Sequence, residues 1–95
     1  MITFNDLLFK DHFHMINAHH VFDNNWEISV SAGSGNYCTP REYLGQPELF
    51  ASFEVAIFNP NGYFATSEVL KIDDDVVGWQ GREDINNIIE VIIAQ

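Results

Sequence analysis

The chain has 95 residues, is 46% hydrophobic and 14% aromatic, and carries 14 acids against 4 bases for a formal net charge of −10. That length makes a single domain over 1–95, which buries roughly 60–65% of its unfolded surface, enough for one core without staples. The apolar content excludes a disordered chain, and the charge argues against direct binding to nucleic acid or to an anionic membrane.

The same charge favours a basic partner and fast, salt-sensitive association with it. Cys38 is the one cysteine, so no internal disulfide can form and a reducing compartment fits. The stretch Met1 to Asp6 has no basic region and no long apolar run. Neither a signal peptide nor a membrane span is expected, and the cytoplasm is the default location.

Residues 4–17 fit a helix capped by Thr3 or Asn5, with Asp6 in the first turn where the helix dipole favours an anion. Phe4, Leu7, Leu8, Met15 and Ile16 recur at helical spacing, and Phe9 and Phe13 widen the stripe. Ala18 to Phe22 reads as a short strand, and Asp23-Asn24-Asn25 as a turn, which makes 18–32 a hairpin. In the next strand Trp26, Ile28, Val30 and Ala32 alternate with Glu27, Ser29 and Ser31, the pattern of a half-buried strand with one wet face.

Gly33 to Asn36 breaks that strand, and Pro40, Gly45 and Pro47 keep 36–50 from forming a long element. A short helical turn near 41–44 is compatible with the sequence. So long a loop in a small domain tends to be functional. Ala51 to Phe58 is the strongest strand, with Phe53, Val55 and Ile57 on one face and Glu54 and Ala56 between them. Asn59 to Gly62 reads as a turn and Tyr63 to Thr66 as the start of a return strand, so 51–70 is expected to be a second hairpin. Asp73-Asp74-Asp75 is exposed, Val76 to Trp79 is extended, and a helix follows Gly81 from about Asp84 with Ile85, Ile88, Ile89, Ile92 and Ile93 as its stripe. The expected class is α+β, a small antiparallel sheet of three to five strands packed against an N-terminal and a C-terminal helix.

Chemistry-bearing residues are few. His12, His14, His19 and His20 lack the i,i+3 or i,i+4 spacing that would put two metal ligands on one helix face, so they read as surface or core-edge side chains, with no metal or cofactor expected. Cys38 has only Arg41 near it and no local base, which suits a small buried side chain anchoring the loop better than a nucleophile. The Asp73-Asp74-Asp75 run lacks the alternating ligands of a calcium loop, and no P-loop, dinucleotide or nucleophile-elbow motif is present. Catalysis is therefore not expected. Arg41 is expected to fork onto a carboxylate or loop carbonyls and fix the loop together with Tyr37, Cys38 and Pro40. Glu27 and Glu54 are expected on the wet face of neighbouring strands, with Glu68, Asp73, Asp74, Asp75, Glu83 and Asp84 extending the negative surface. Carboxylates so placed can stand in for phosphates in an Arg/Lys groove.

Ser29 to Gly33, then Tyr37-Cys38-Thr39-Pro40-Arg41, then Phe53-Glu54-Val55-Ala56, resembles a pattern in small phage- and prophage-encoded proteins. In these a strand ending in Gly leads to Tyr-Cys-x-Pro-Arg, a second strand carries Glu-Val, and a Gly-aromatic segment and a C-terminal helix follow, as at Gly78-Trp79 and beyond Asp84. The similarity covers 26–94. Such proteins include anti-CRISPR inhibitors, some of which block type I Cascade complexes. The resemblance implies a non-enzymatic inhibitor in the cytoplasm of an infected bacterium, bound to a Cas effector subunit where target DNA is recognised. Two other classes fit the composition: an immunity or antitoxin-type protein that plugs a basic nuclease toxin, and a small metal- or thiol-dependent enzyme. Monomer and dimer are both compatible with the sequence.

Overall fold

Five strands form one antiparallel sheet whose order is the order of the chain: β1 (Lys10–Asp11), β2 (Met15–Val21), β3 (Glu27–Gly33), β4 (Phe53–Phe58) and β5 (Val77–Gln80). The computed structural model describes all residues from Met1 to Gln95. Two α-helices, α1 (Thr66–Leu70) and α2 (Arg82–Ile93), complete an α+β domain. Period-two alternation builds the sheet's inner face from Ile16 and Ala18, Ile28, Val30 and Ala32, and Phe53, Val55 and Ile57, all buried. Helix α2 contributes Ile85, Ile88, Ile89 and Ile92 to the same core. Burying each isoleucine contributes about 1.5–3 kcal/mol relative to exposure. That outweighs the few tenths of a kcal/mol by which a β-branched residue lowers helix propensity.

The β2–β3 hairpin has the expected place and turn. Asn25 takes a left-handed conformation (φ 69°), Met15 faces Gly33 and Val21 faces Glu27. Asn24 Nδ2 donates to the Ile92 carbonyl at 2.9 Å, alongside the Gln95 N–H at 3.1 Å, so this turn ties to the end of α2. At the start of α2 the Asp84 carboxylate accepts the Gly81 N–H at 2.9 Å. Helix α2 begins two residues earlier than its apolar stripe suggests, and Ile93 lies outside the buried stripe at 42% exposure.

The helix expected over 4–17 is not what the segment forms. Phe4–Asp6 is a single 3₁₀ turn, and Lys10–Asp11 and Met15–Val21 are strands. The physical reason is that Leu7 and Leu8 have Asp11 and His12 at i+4, and Phe13, the i+4 partner of Phe9, is exposed, while Ile16, Ala18 and Phe22 bury at even spacing. The 3₁₀ turn still packs on the core: Phe4 and Leu7 are buried, and the Phe4 N–H donates to Asn86 Oδ1 at 2.7 Å.

The hairpin expected over 51–70 is also corrected. The turn forms, with Gly62 at φ 84°, but only Phe58 and Phe64 bridge before the chain enters α1. Thr66 Oγ1 accepts the Ile57 N–H at 2.8 Å, and Ala65 N–H donates to the Ile57 carbonyl at 2.8 Å. These bonds satisfy both Ile57 backbone groups from a helix start rather than a strand. β4 pairs instead with β5, Phe53 facing Gln80 and Val55 facing Val77, with an irregularity between. The helical turn expected near 41–44 forms further on, as a 3₁₀ turn at Pro47–Leu49.

Candidate functional site

The outer face of the sheet carries a polar network rather than a bare carboxylate row. Glu27 and Glu54 do share this face, but Glu27 lies opposite Phe58 and Glu54 opposite Ser31. The two acids are thus four residues apart along the pair, on the order of 13 Å. Each has its own partner. His19 Nε2 lies 2.7 Å from Glu27 Oε2. Between them Asn17 Nδ2 donates to Ser29 Oγ and Ser31 Oγ, both at 2.9 Å.

Glu54 braces the loop that sequence singled out. Its Oε1 accepts the Tyr37 N–H at 3.0 Å and its Oε2 accepts Asn36 Nδ2 at 3.1 Å. Beyond Tyr37 the chain pairs with the entry to β4: Thr39 bridges Ser52, and Ala51 N–H donates to the Thr39 carbonyl at 2.8 Å. The Thr39–Pro40 peptide is cis. Cys38 is buried, with its thiol 3.3 Å from the Gly33 carbonyl and 3.2 Å from the Pro40 carbonyl. Burial pushes the Cys38 thiol pKa up, partly offset by the backbone bond at Gly33. A thiol kept protonated and out of solvent anchors the loop and is a poor nucleophile.

Arg41 does not take the expected fork. Its guanidinium lies over the Tyr37 ring, 5.2 Å from the centroid, and makes no ion pair. The fork belongs to Arg82, which donates to the Phe50 and Pro47 carbonyls at 2.9 Å each and lies over the rings of Phe4 and Phe53. Arg82 is in a helix first turn, so local pattern offered no sign that it would reach the loop.

The second site residue that sequence reasoning missed is Trp79. Its ring stacks on Tyr37 with centroids 5.3 Å apart, and both side chains stay exposed, at 56% and 43%. The Trp79 N–H donates to the Tyr37 carbonyl at 2.9 Å, tying the loop to β5. The signal was the Gly78-Trp79 pair itself: a Cβ on Gly78 would sit 2.6 Å from Tyr37 Cβ.

The remaining acids singled out from the sequence lie in the stretch from α1 to the start of α2. Glu68 is on α1, Asp73, Asp74 and Asp75 lie between α1 and β5, and Glu83 and Asp84 lead α2; all six are exposed. Asp84 is partly engaged as the acceptor of the Gly81 N–H. No lysine or arginine nitrogen comes within 4.0 Å of a carboxylate oxygen; the one ion pair is His19 with Glu27.

The histidines are dispersed. His12 and His14 are exposed in the β1–β2 turn, His19 pairs with Glu27, and His20 packs edge-on to Phe22 at 4.8 Å. No group of three His, Cys, Asp or Glu side chains is arranged to hold a metal ion. No helix is long and apolar enough to cross a membrane. No family model matches the chain, and no curated protein or solved structure is similar enough to match it either.

Proposed function

We propose that this chain is a non-enzymatic inhibitor that occupies the basic nucleic-acid-binding surface of another protein, its carboxylates standing where phosphates would lie. A phage-encoded inhibitor of a CRISPR effector, acting in the host cytoplasm on a Cas subunit that recognises target DNA, is the specific form. The observation that carries the reading is the uncompensated charge: 14 acids, 4 bases, and no Lys or Arg bound to a carboxylate.

Carboxylates without cationic partners keep their field available to an incoming partner. Grouped within a Debye length of about 8 Å, charges of one sign reinforce each other at physiological salt. Of the acids singled out from the sequence, Glu68, Asp73, Asp75 and Glu83 accept no hydrogen bond and Asp74 accepts only the Asp75 N–H, and these five form the contact set of this reading. Glu27 and Glu54 sit inside networks and supply field rather than direct contacts.

The test is competition. Purified chain is added to a type I Cascade complex, and target duplex binding is followed across a salt series. The expected result is displacement of the duplex that weakens with salt and is lost on reversing Asp73, Asp74 and Asp75 to Lys. Inhibition that survives this triple reversal removes those acids from the contact. Capture of a basic nuclease, with no effect on any Cas effector, assigns the chain to the immunity class instead.

A further inference from the structure

We infer that Trp79 and Tyr37 form the aromatic seat for an arginine side chain of a protein partner, at the acidic β5 edge of the sheet. This rests on the reading above that the partner presents a basic surface, and it names the side chain that anchors it.

The seat is built, not incidental. Trp79 has φ 52°, in the left-handed region that a bulky residue adopts only where its surroundings hold it. Three contacts hold it: the Trp79 N–H donates to the Tyr37 carbonyl, the Tyr37 N–H donates to Glu54, and the Tyr37 side chain lies against Gly78. A pre-ordered aromatic pair loses little freedom when a partner binds. Trp, Tyr and Arg are also the side chains that most often anchor protein interfaces.

The occupant follows from charge. Glu54 accepts the Tyr37 N–H, and Asp73, Asp74 and Asp75 lie in the bend that leads into β5, the strand that carries Trp79. A nucleic-acid base could stack on the ring, but its phosphates would meet these carboxylates. An apolar pocket closing over Trp79 would strip water from the same carboxylates without bonding them. A guanidinium suits the seat, its plane on the indole and its charge in the field of these carboxylates. The chain already contains this contact in miniature, because Arg41 lies over Tyr37. No cation of the chain lies over Trp79.

The test uses the whole chain, ¹⁵N-labelled, titrated with an Arg-Gly repeat peptide while both indole N–H resonances are followed. Trp26, which packs on the core, is the internal control. The expected result is a shift at Trp79 and none at Trp26, with weaker binding of a Lys-Gly peptide and none of the uncharged citrulline analogue. Trp79→Asn removes the ring while suiting a left-handed backbone, and is expected to weaken the arginine peptide about tenfold. Trp79→Phe should fall between it and the parent, and an otherwise unchanged amide spectrum shows that each variant is folded.

Equal binding by Trp79→Asn overturns the inference, as does an equal Trp79 shift with the citrulline peptide or with single-stranded DNA. If Trp79→Asn binds normally while the triple reversal of Asp73, Asp74 and Asp75 to Lys loses the peptide, the seat falls and the acidic-surface reading stands. If neither change matters, both fall.

Discussion

Glu54 Oε1 accepts the Tyr37 N–H at 3.0 Å, so one strand carboxylate fixes the loop that carries the exposed aromatic pair. Its second oxygen holds Asn36 Nδ2, whose own Oδ1 is buried without a hydrogen-bond partner. Removing the carboxylate would leave the Asn36 amide group still less satisfied. Charge-assisted hydrogen bonds contribute about 1.5–3 kcal/mol. Glu54→Ala is therefore expected to lower unfolding free energy by about that amount in urea titration, and to speed hydrogen exchange at the Tyr37 amide. Glu54→Gln, which keeps one acceptor, should cost less. An unchanged Tyr37 exchange rate in Glu54→Ala would show that the loop is held by something else.

Arg82 joins three parts of the fold. Its two donors reach carbonyls 32 and 35 residues earlier, at Phe50 and Pro47, and its plane covers Phe4 and Phe53. Lysine cannot reproduce two parallel donors with a stacked plane. Arg82→Ala is expected to cost about 2–3 kcal/mol, and Arg82→Lys to restore less than half of it. Arg41→Ala, whose guanidinium only covers Tyr37 at 5.2 Å, should stay within about 1 kcal/mol of the parent. Chemical denaturation of the three variants checks the order, and a larger loss at Arg41 than at Arg82 would reverse the assignment.

That contrast marks what the sequence could disclose. β3, β4 and α2 were legible because each repeats its apolar residues at one clear period, and the expected inner faces are the buried ones except for Ile93, which is exposed, and Trp26, which is partly buried ahead of β3. In the N-terminal segment two periods compete, and Phe4 with Leu7 mimicked a helix that ends after one 3₁₀ turn. The return strand after Gly62 failed because Thr66 spends its hydroxyl on Ile57, a contact nine residues away that no local pattern encodes. The loop's anchoring by Cys38 was readable from the lack of any base near it. The choice between Arg41 and Arg82 was not, since it depends on which carbonyls the finished fold brings within reach.

The buried thiol gives the domain a pH dependence at its alkaline end. Burial raises the Cys38 pKa above its ordinary value of 9.0, so the unfolded chain loses this proton before the folded one does. The folded state then binds more protons, and stability falls as pH rises. The thiol's contribution is complete below pH 9.0 and is lost as pH climbs through the higher folded value. Thermal melts from pH 7 upward should therefore show a decline beginning near pH 9, shallower in Cys38→Ser. Native protein at pH 8 should also react slowly with a thiol reagent and quickly once denatured. Rapid labelling of the folded chain would contradict the burial of Cys38.

Gly78 and Gly35 make a matched pair of probes for the aromatic seat. A Cβ on Gly78 would lie 2.6 Å from Tyr37 Cβ and 3.3 Å from the Tyr37 carbonyl oxygen, whereas a Cβ on Gly35 meets nothing within 4 Å. The Tyr37 backbone cannot yield easily, because its N–H and its carbonyl are both bonded. Gly78→Ala is expected to destabilise by about 1–3 kcal/mol, the usual cost of overpacking. Gly35→Ala should be neutral or stabilise by up to about 1 kcal/mol, since it only restricts the unfolded chain. The Gly78 variant should also change Trp79 emission, because the stack at 5.3 Å must open or slide to admit the methyl group. A Gly78→Ala protein with parental stability and emission would mean that Tyr37 and Trp79 are loosely placed, and the preordered seat would lose its structural basis.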